Sequence, residues 1–494
     1  MLGREEIQEE ETMQKKTLAA LMAATMTVSM LAGCGSSGGS TATTGSPAGN
    51  ETATAAPAAG SEAAADTTAA AADANAKAQT TTGTNTFVDG GTDLSLWTFQ
   101  ELHVAYYTFM ADQWNKDHPD KPINLTVTTG DSSAMHTKLL VALQSGTGAP
   151  DIADVEIGHF ATFLQGGYLL PLNDVVEPYK NDVIMSRVDM YGDNNGNEYG
   201  IDFHLGAAVT YYNMDIMNAA GVNPDDIVTW DDYMEAGKKV LEKTGKPMTA
   251  VETSDLFLPQ LMNLEQGDTY LDKDGNPAIN SEAGAKTINK IREMLDAGVC
   301  EIAPGGGFHT EEWYAHFNDG GCASISMPMW YMGRFTDYMK DLKGKIAIKE
   351  VPVWNKGDVR CVLQGGTGTG VTSQTKNEAL AKEFLAYAKL SEVGGEYIWE
   401  KLGFDPIRTE VWDNTALTSD KNNKFIAFFQ TNPFDVLKQI KKDYGTELTA
   451  PNIKGAYSAT YSVLVSTTYV NAFEAAKYTD AKTLLEDEQA TIIY

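Results

Sequence analysis

Three aromatic side chains, Trp97, Trp330 and Tyr331, stand where strands give way to helices, and Gln100, Glu101, Asp154, Glu156, His159, His204 and Asp255 fall at comparable junctions. An aromatic ring offers a flat apolar face, while carboxylates, amides and imidazoles offer directional hydrogen bonds. Together they suit a ligand with an apolar ring face and a rim of hydroxyls, as a sugar has. Trp330 is the strongest aromatic candidate, because Pro328 must break the strand just before it. Trp230 and Trp399 sit inside helical patterns and are assigned to the core. Each acid also has an ordinary reading as a solvated or helix-capping carboxylate. Asp154 and Glu156 pose a second chemistry. Two apart on a strand, they point the same way, and a glycoside hydrolase needs two acids about 5–9.5 Å apart flanking the bond.

Other motifs fail on context. Gly35-Ser36-Ser37-Gly38-Gly39 matches a nucleophile elbow in letters only, with no strand before it and no helix after it. Ser373-Gln374-Thr375-Lys376 lies against a helix start, without the partner motifs an acylating serine needs. Gly365 to Gly370 lacks the Lys-Ser/Thr of a phosphate loop; its glycines suit close backbone approach instead, which adds Gly366 and Thr367 to the candidate ligand contacts. Asp272 to Asn276 has its glycine too early for a calcium loop and reads as a hairpin turn. The seven histidines form no HExxH pair and the four cysteines no CxxC pair, so no metal or cofactor is expected. Cys300 and Cys322 can be drawn as a disulfide or, with Cys361, as buried thiols; spacing leaves both open.

The elements that must position these residues alternate in type. Leu94–Phe99 reads as a strand, Val104–His118 as a helix stopped by Pro119, and Ile123–Thr129 as a strand. Met135–Leu143 follows as a helix closed by Gly146, then Asp151–Val155 as a strand. Strand and helix in alternation predict an α/β fold with a parallel sheet, whose ligands sit beyond the carboxyl ends of the strands. Thr229-Trp230-Asp231-Asp232 and Thr375-Lys376-Asn377-Glu378 each predict a capping box before a helix, and Ala456 to Glu488 is helical again.

The formal net charge of -30 opposes nucleic acid phosphates, anionic lipids and anionic ligands. A neutral ligand fits, or a weakly cationic one such as a polyamine. At the amino end Lys15 and Lys16 precede an uncharged run from Thr17 to Gly33, too short for a comfortable membrane span, in the manner of an export signal. The acidic leader before Met13 points to Met13 as the true start. Leu31-Ala32-Gly33-Cys34 resembles a lipobox, which implies acylation of Cys34. Residues 34–86, almost all Ala, Thr, Ser and Gly, read as a flexible tether.

One family resemblance runs through the rest of the chain. Tyr199-Gly200-Ile201, Tyr211-Tyr212-Asn213-Met214-Asp215, Ala220-Gly221-Val222 and Thr229 to Asp232 resemble the family 1 extracellular solute-binding proteins of bacterial ABC importers. So do Gly148 to Ile152, Gly167 to Leu172, Asn318 to Trp330, Gly365 to Leu390 and Gly403 to Pro406. Leu96 to His103 is most similar to members that bind arabino-oligosaccharides, lactose or L-arabinose. The resemblance implies a two-lobed α/β fold of the type II periplasmic-binding-protein kind, with ligand held between lobes joined by crossing strands. Residues 87–204 with 367–404 would form one lobe, and 205–360 with 405–494 the other. It further implies a monomeric, non-enzymatic lipoprotein on the outer face of the cytoplasmic membrane. Its partners would be an oligosaccharide and a permease with its ATPase. Asp202 stands where the family usually has proline, which would loosen the bend entering the hinge.

Overall fold

The computed structural model describes residues 81–475 and 480–494. The expected signal segment, Cys34 and nearly all of the expected tether lie outside the described residues. The chain runs through β1 (Thr82–Thr84), β2 (Thr92–Thr98), α1 (Glu101–Asp117), β3 (Ile123–Thr129), α2 (Ser132–Ser145), β4 (Ile152–Glu156) and α3 (Ile157–Gln165). It continues through β5 (Ala208–Asn213), α4 (Trp230–Thr244), β6 (Thr249–Val251), α5 (Phe257–Leu264), α6 (Glu282–Asp296), β7 (Cys300–Ile302), β8 (Ser324–Pro328) and β9 (Ile346–Glu350). Then come β10 (Thr367–Val371), α7 (Glu378–Leu390), α8 (Pro433–Tyr444), α9 (Tyr457–Val463) and α10 (Ala481–Gln489).

The first lobe is built on a five-stranded sheet in the order β1-β3-β2-β4-β10. Along β3 every second side chain is buried, as its β-branched alternation requires. β2 pairs in parallel with β3 and β4, but β1 and β10 are antiparallel, so the sheet is mixed rather than wholly parallel. The direction of β10 has a mechanical cause. Its chain returns from the other lobe and enters where β4 leaves, Thr367 opposite Glu156 and Val371 opposite Ile152. β1 corrects the expected tether, whose last residues, Thr82 to Thr84, are an edge strand on β3.

The second lobe carries an antiparallel sheet, β8-β5-β9, beside the parallel pair β6-β7. The capping box at Thr229 forms: its hydroxyl accepts from the Asp232 N–H at 3.1 Å and the Asp232 carboxylate accepts from the Thr229 N–H at 2.9 Å. The one expected at Thr375 does not. Its hydroxyl donates to Asp151 at 2.6 Å, and the helix starts at Glu378 after an uncapped Asn377. Asp272 to Asn276 is the expected turn, closed by a bridge between Leu271 and Pro277. Cys300, Cys322 and Cys361 are free, buried thiols.

Crossing segments join the lobes. Ile201 and Thr369 exchange backbone hydrogen bonds at 3.0 Å, and the Leu205 N–H donates to the Asp405 carbonyl at 2.7 Å. Asp202 does the reverse of loosening this region. Buried completely, it takes the Arg187 guanidinium at 2.8 Å, the Tyr191 hydroxyl at 2.6 Å and the Thr367 N–H at 3.3 Å. It ties three segments at the hinge. Past Phe404 the chain stays with the first lobe for a few residues, since Arg408 bridges Val183. Later, α9 packs on α3 of that lobe, so residues 405–494 do not belong wholly to the second.

Candidate functional site

Glu156 ends β4 and begins α3. Its Oε2 accepts from the Gly158 N–H at 2.8 Å, which caps the helix. Its own N–H donates to His136 Nε2 at 3.0 Å, while His136 Nδ1 reaches the Ser132 carbonyl at 2.7 Å. The imidazole is thereby fixed as the Nδ1–H tautomer. Facing Glu156 from the second lobe is Asp255, in the loop between β6 and α5. Asp255 Oδ1 accepts from the Leu256 N–H at 2.8 Å and from the Tyr461 hydroxyl at 3.3 Å. The Tyr461 ring lies so close to Gly158 that a Cβ there would sit 3.1 Å from it. Glu252, three residues before Asp255, accepts the Phe308 N–H at 3.1 Å and the Phe257 N–H at 3.4 Å.

Three carboxyls thus converge from two lobes around one tyrosine. Burial, and then the charge of Asp255, push the Glu156 carboxyl up to about 8. Burial likewise raises Asp255, and burial with Asp255 raises Glu252. The cluster resists carrying several charges at once. It favours hydroxyl donors between its members.

Phe257 links this cluster to an aromatic wall. Its ring meets Trp330 at 5.5 Å and His309 at 6.3 Å. His309 stacks near-parallel on Trp330, 15° between planes and 5.7 Å between centroids. His309 is exposed to solvent, and the protein packed around it, with the charge of Arg334, holds its imidazole down at about 3. Trp330 is half-buried, follows the end of β8 at Pro328 as expected, and donates weakly from Nε1 to the Gln364 carbonyl at 3.4 Å. Beneath it Gln364 Nε2 bonds the Phe257 carbonyl at 2.7 Å and Gln260 at 3.2 Å, and Gln260 reaches the Tyr457 hydroxyl at 3.1 Å.

Of the residues singled out from sequence, the structure brings Glu156, Asp255 and Trp330 near one another through Phe257 and Tyr461, with His204 behind Trp330 at 6.2 Å. His204 is itself buried, and burial lowers its imidazole to about 3. Tyr331 is not a platform: wholly buried, it donates to the Phe308 carbonyl and takes the Trp313 indole N–H at 3.1 Å. Asp154 is also interior. It receives the Tyr107 hydroxyl at 2.6 Å, the Thr369 hydroxyl at 2.7 Å and His103 Nδ1 at 2.9 Å. Burial would raise its carboxyl, but His103, Lys389 and Tyr107 hold it down at about 2. With Asp154 enclosed in its own lobe, the two strand acids cannot flank a scissile bond.

Gly366 answers to the protein's own side chains. With φ at +149°, a Cβ there would lie 2.2 Å from the Tyr191 hydroxyl. Thr367 is buried beside Asp202. Trp97 is half-buried with the Lys138 ammonium 4.1 Å over its ring, so one face is already taken. Gln100 stands at the α1 N-cap without capping it, Glu101 is exposed in the first turn, and His159 is exposed and stacked on His136 at 4.4 Å. Sequence reasoning missed His309, Glu252, Tyr457 and Tyr461. The tyrosines lie on the tail, which the sequence marks only as helical, and His309 belongs to no motif that would single it out.

The family of bacterial extracellular solute-binding proteins matches residues 100–394. An arabinooligosaccharide-binding protein of Halalkalibacterium halodurans is 46% identical over 359 residues, 72% of this chain and 80% of its own. One of Bacillus subtilis is 46% identical over 358 residues, 72% of this chain and 82% of its own. Among solved structures, the galacto-N-biose/lacto-N-biose I-binding protein of Bifidobacterium longum superimposes with a TM-score of 0.65 at 19% identity, covering 82% of this chain and 97% of that one. At such identity that likeness speaks for the fold. The shared two-lobed architecture, the match over more than half the sequence and the identity to the first two relatives place the chain within the bacterial extracellular solute-binding proteins.

Proposed function

We propose that this protein captures an arabino-oligosaccharide in the cleft between its lobes and delivers it to an ABC permease, without catalysing a reaction. The observation that carries the reading is the meeting of the Trp330–His309 pair with Glu156 and Asp255 around Phe257 and Tyr461. An indole stacks on a sugar ring face, and acceptor-rich carboxyls take its hydroxyl protons. The 46% identity to two arabinooligosaccharide-binding proteins supports the sugar class. In this reading the protein works as a monomer outside the cytoplasm, held to the membrane through acylated Cys34. Its partners are the permease subunits and their ATPase.

A thermal-shift screen with arabino-oligosaccharides, lactose, xylo-oligosaccharides, arabinose and spermidine tests the proposal. Arabino-oligosaccharides should raise the melting temperature in a saturable, stoichiometric way. Stabilisation by spermidine alone would assign the acidic cleft to cations, and release of reducing sugar would make the protein an enzyme. Trp330→Ala should abolish the shift and leave the ligand-free melting temperature nearly unchanged. A large loss of ligand-free stability would instead assign Trp330 to the core.

A further inference from the structure

Glu156 and Asp255 each engage one oxygen with a helix-starting N–H. Among the described residues no partner is found for Glu156 Oε1 or Asp255 Oδ2. Both oxygens belong to groups that face each other from opposite lobes, close enough for the charge of Asp255 to act on Glu156 and on Glu252. The other titratable groups packed around them are the phenols Tyr461 and Tyr457 from α9 and Tyr191 beneath the hinge, and His136, whose imidazole burial lowers to about 4. Of the nearby cations two are engaged, and the third, Arg334, keeps a buried Nε without a partner. Arg187 is fully buried against Asp202 and the Gly365 carbonyl, and Lys138 covers Trp97. Arg334 acts on His309, Tyr314 and Tyr331, on the aromatic side.

Building on the oligosaccharide reading, we infer that Glu156 and Asp255 make the cleft a charge filter, admitting neutral oligosaccharides and refusing the same saccharide bearing a uronic acid. A neutral sugar brings hydroxyls, each of which donates one proton to a waiting carboxyl oxygen. A uronate brings, beside its remaining hydroxyls, a carboxylate that at neutral pH only accepts. That carboxylate adds like charge beside Asp255, in a cluster that already resists carrying several charges and keeps Glu156 protonated, and it cannot donate to the oxygens a hydroxyl would have filled.

The test uses the full chain and three ligands of one size: arabinotriose, arabinotriose whose terminal primary hydroxyl is oxidised to a carboxylate, and the methyl ester of that acid. Isothermal titration at pH 7 should show the acid binding at least tenfold more weakly than arabinotriose, and the ester recovering to within about threefold. In the Glu156→Gln, Asp255→Asn double variant the acid should come within about threefold of the neutral sugar. Acid and ester equally weak would overturn the inference, because size or the lost hydroxyl would then explain the refusal. So would an acid that binds as tightly as the neutral sugar, with Arg334 as its partner, or a gap the double variant leaves unchanged. Failure of arabinotriose itself to bind would sink the arabino-oligosaccharide reading, and the inference with it.

Discussion

Glu156 and Asp154 stand two residues apart on one strand and behave as opposites. Asp154 is held at about 2 by hydrogen bonds inside its lobe, and Glu156 is pushed to about 8 by burial and a facing acid. For Glu156 the raised folded value means that the folded state keeps a proton the unfolded chain releases above its ordinary 4.5. Its favourable contribution is therefore complete below that value and is lost as pH climbs towards 8. Glu156→Gln should melt close to the parent near pH 4.5 and several degrees above it by pH 8.5, the gap widening steadily in melting curves across that range. A gap constant in pH would show that Glu156 ionises freely. From the sequence alone these two acids were indistinguishable. The difference rests on Tyr107, Thr369 and Asp255, whose approach depends on pairings across the whole chain.

At the scale of elements, the local signals held, the capping box expected at Thr375 excepted, and the long-range ones did not. β2, β3, β4, α1 and the Thr229 capping box were legible, because apolar alternation, a proline stop and a reciprocal cap are written within a dozen residues. β1 was not. An edge strand of three residues needs no apolar period, so Thr82 to Thr84 read like the alanine- and threonine-rich stretch before it. The antiparallel course of β10 follows from the chain's return across the hinge, which no neighbouring residue announces. Asp202, expected to loosen the hinge, ties it. Asp202→Ala leaves the enclosed Arg187 guanidinium without its partner, and the folded state should lose about 3–5 kcal/mol. A shift in the urea denaturation midpoint checks this; a loss near zero would mean the hinge does not depend on the pair.

For the whole molecule, the sequence announced two α/β lobes with a cleft between them through family resemblance more than through periodicity. The site was legible in part. Trp330, Glu156 and Asp255 could be named from their places at strand and helix ends, whereas His309 and Tyr461 owe their positions to tertiary packing. Lobes joined by a few crossing segments move by hinge bending. Small-angle scattering should therefore record a smaller radius of gyration with saturating arabinotriose than without it, and equal values would mean that ligand enters without closure.

Tyr461 and Asp255 meet although 206 positions separate them in the chain. Every strand of the three sheets is complete by Val371, yet the helix carrying Tyr457 and Tyr461 is made much later. A nascent polypeptide can thus finish these sheets while the site proposed for the sugar still lacks a side. A translation product cut short before residue 457 would lack Tyr461 and, with Leu464, Tyr469, Phe473, Leu484 and Leu485, part of the second lobe's core.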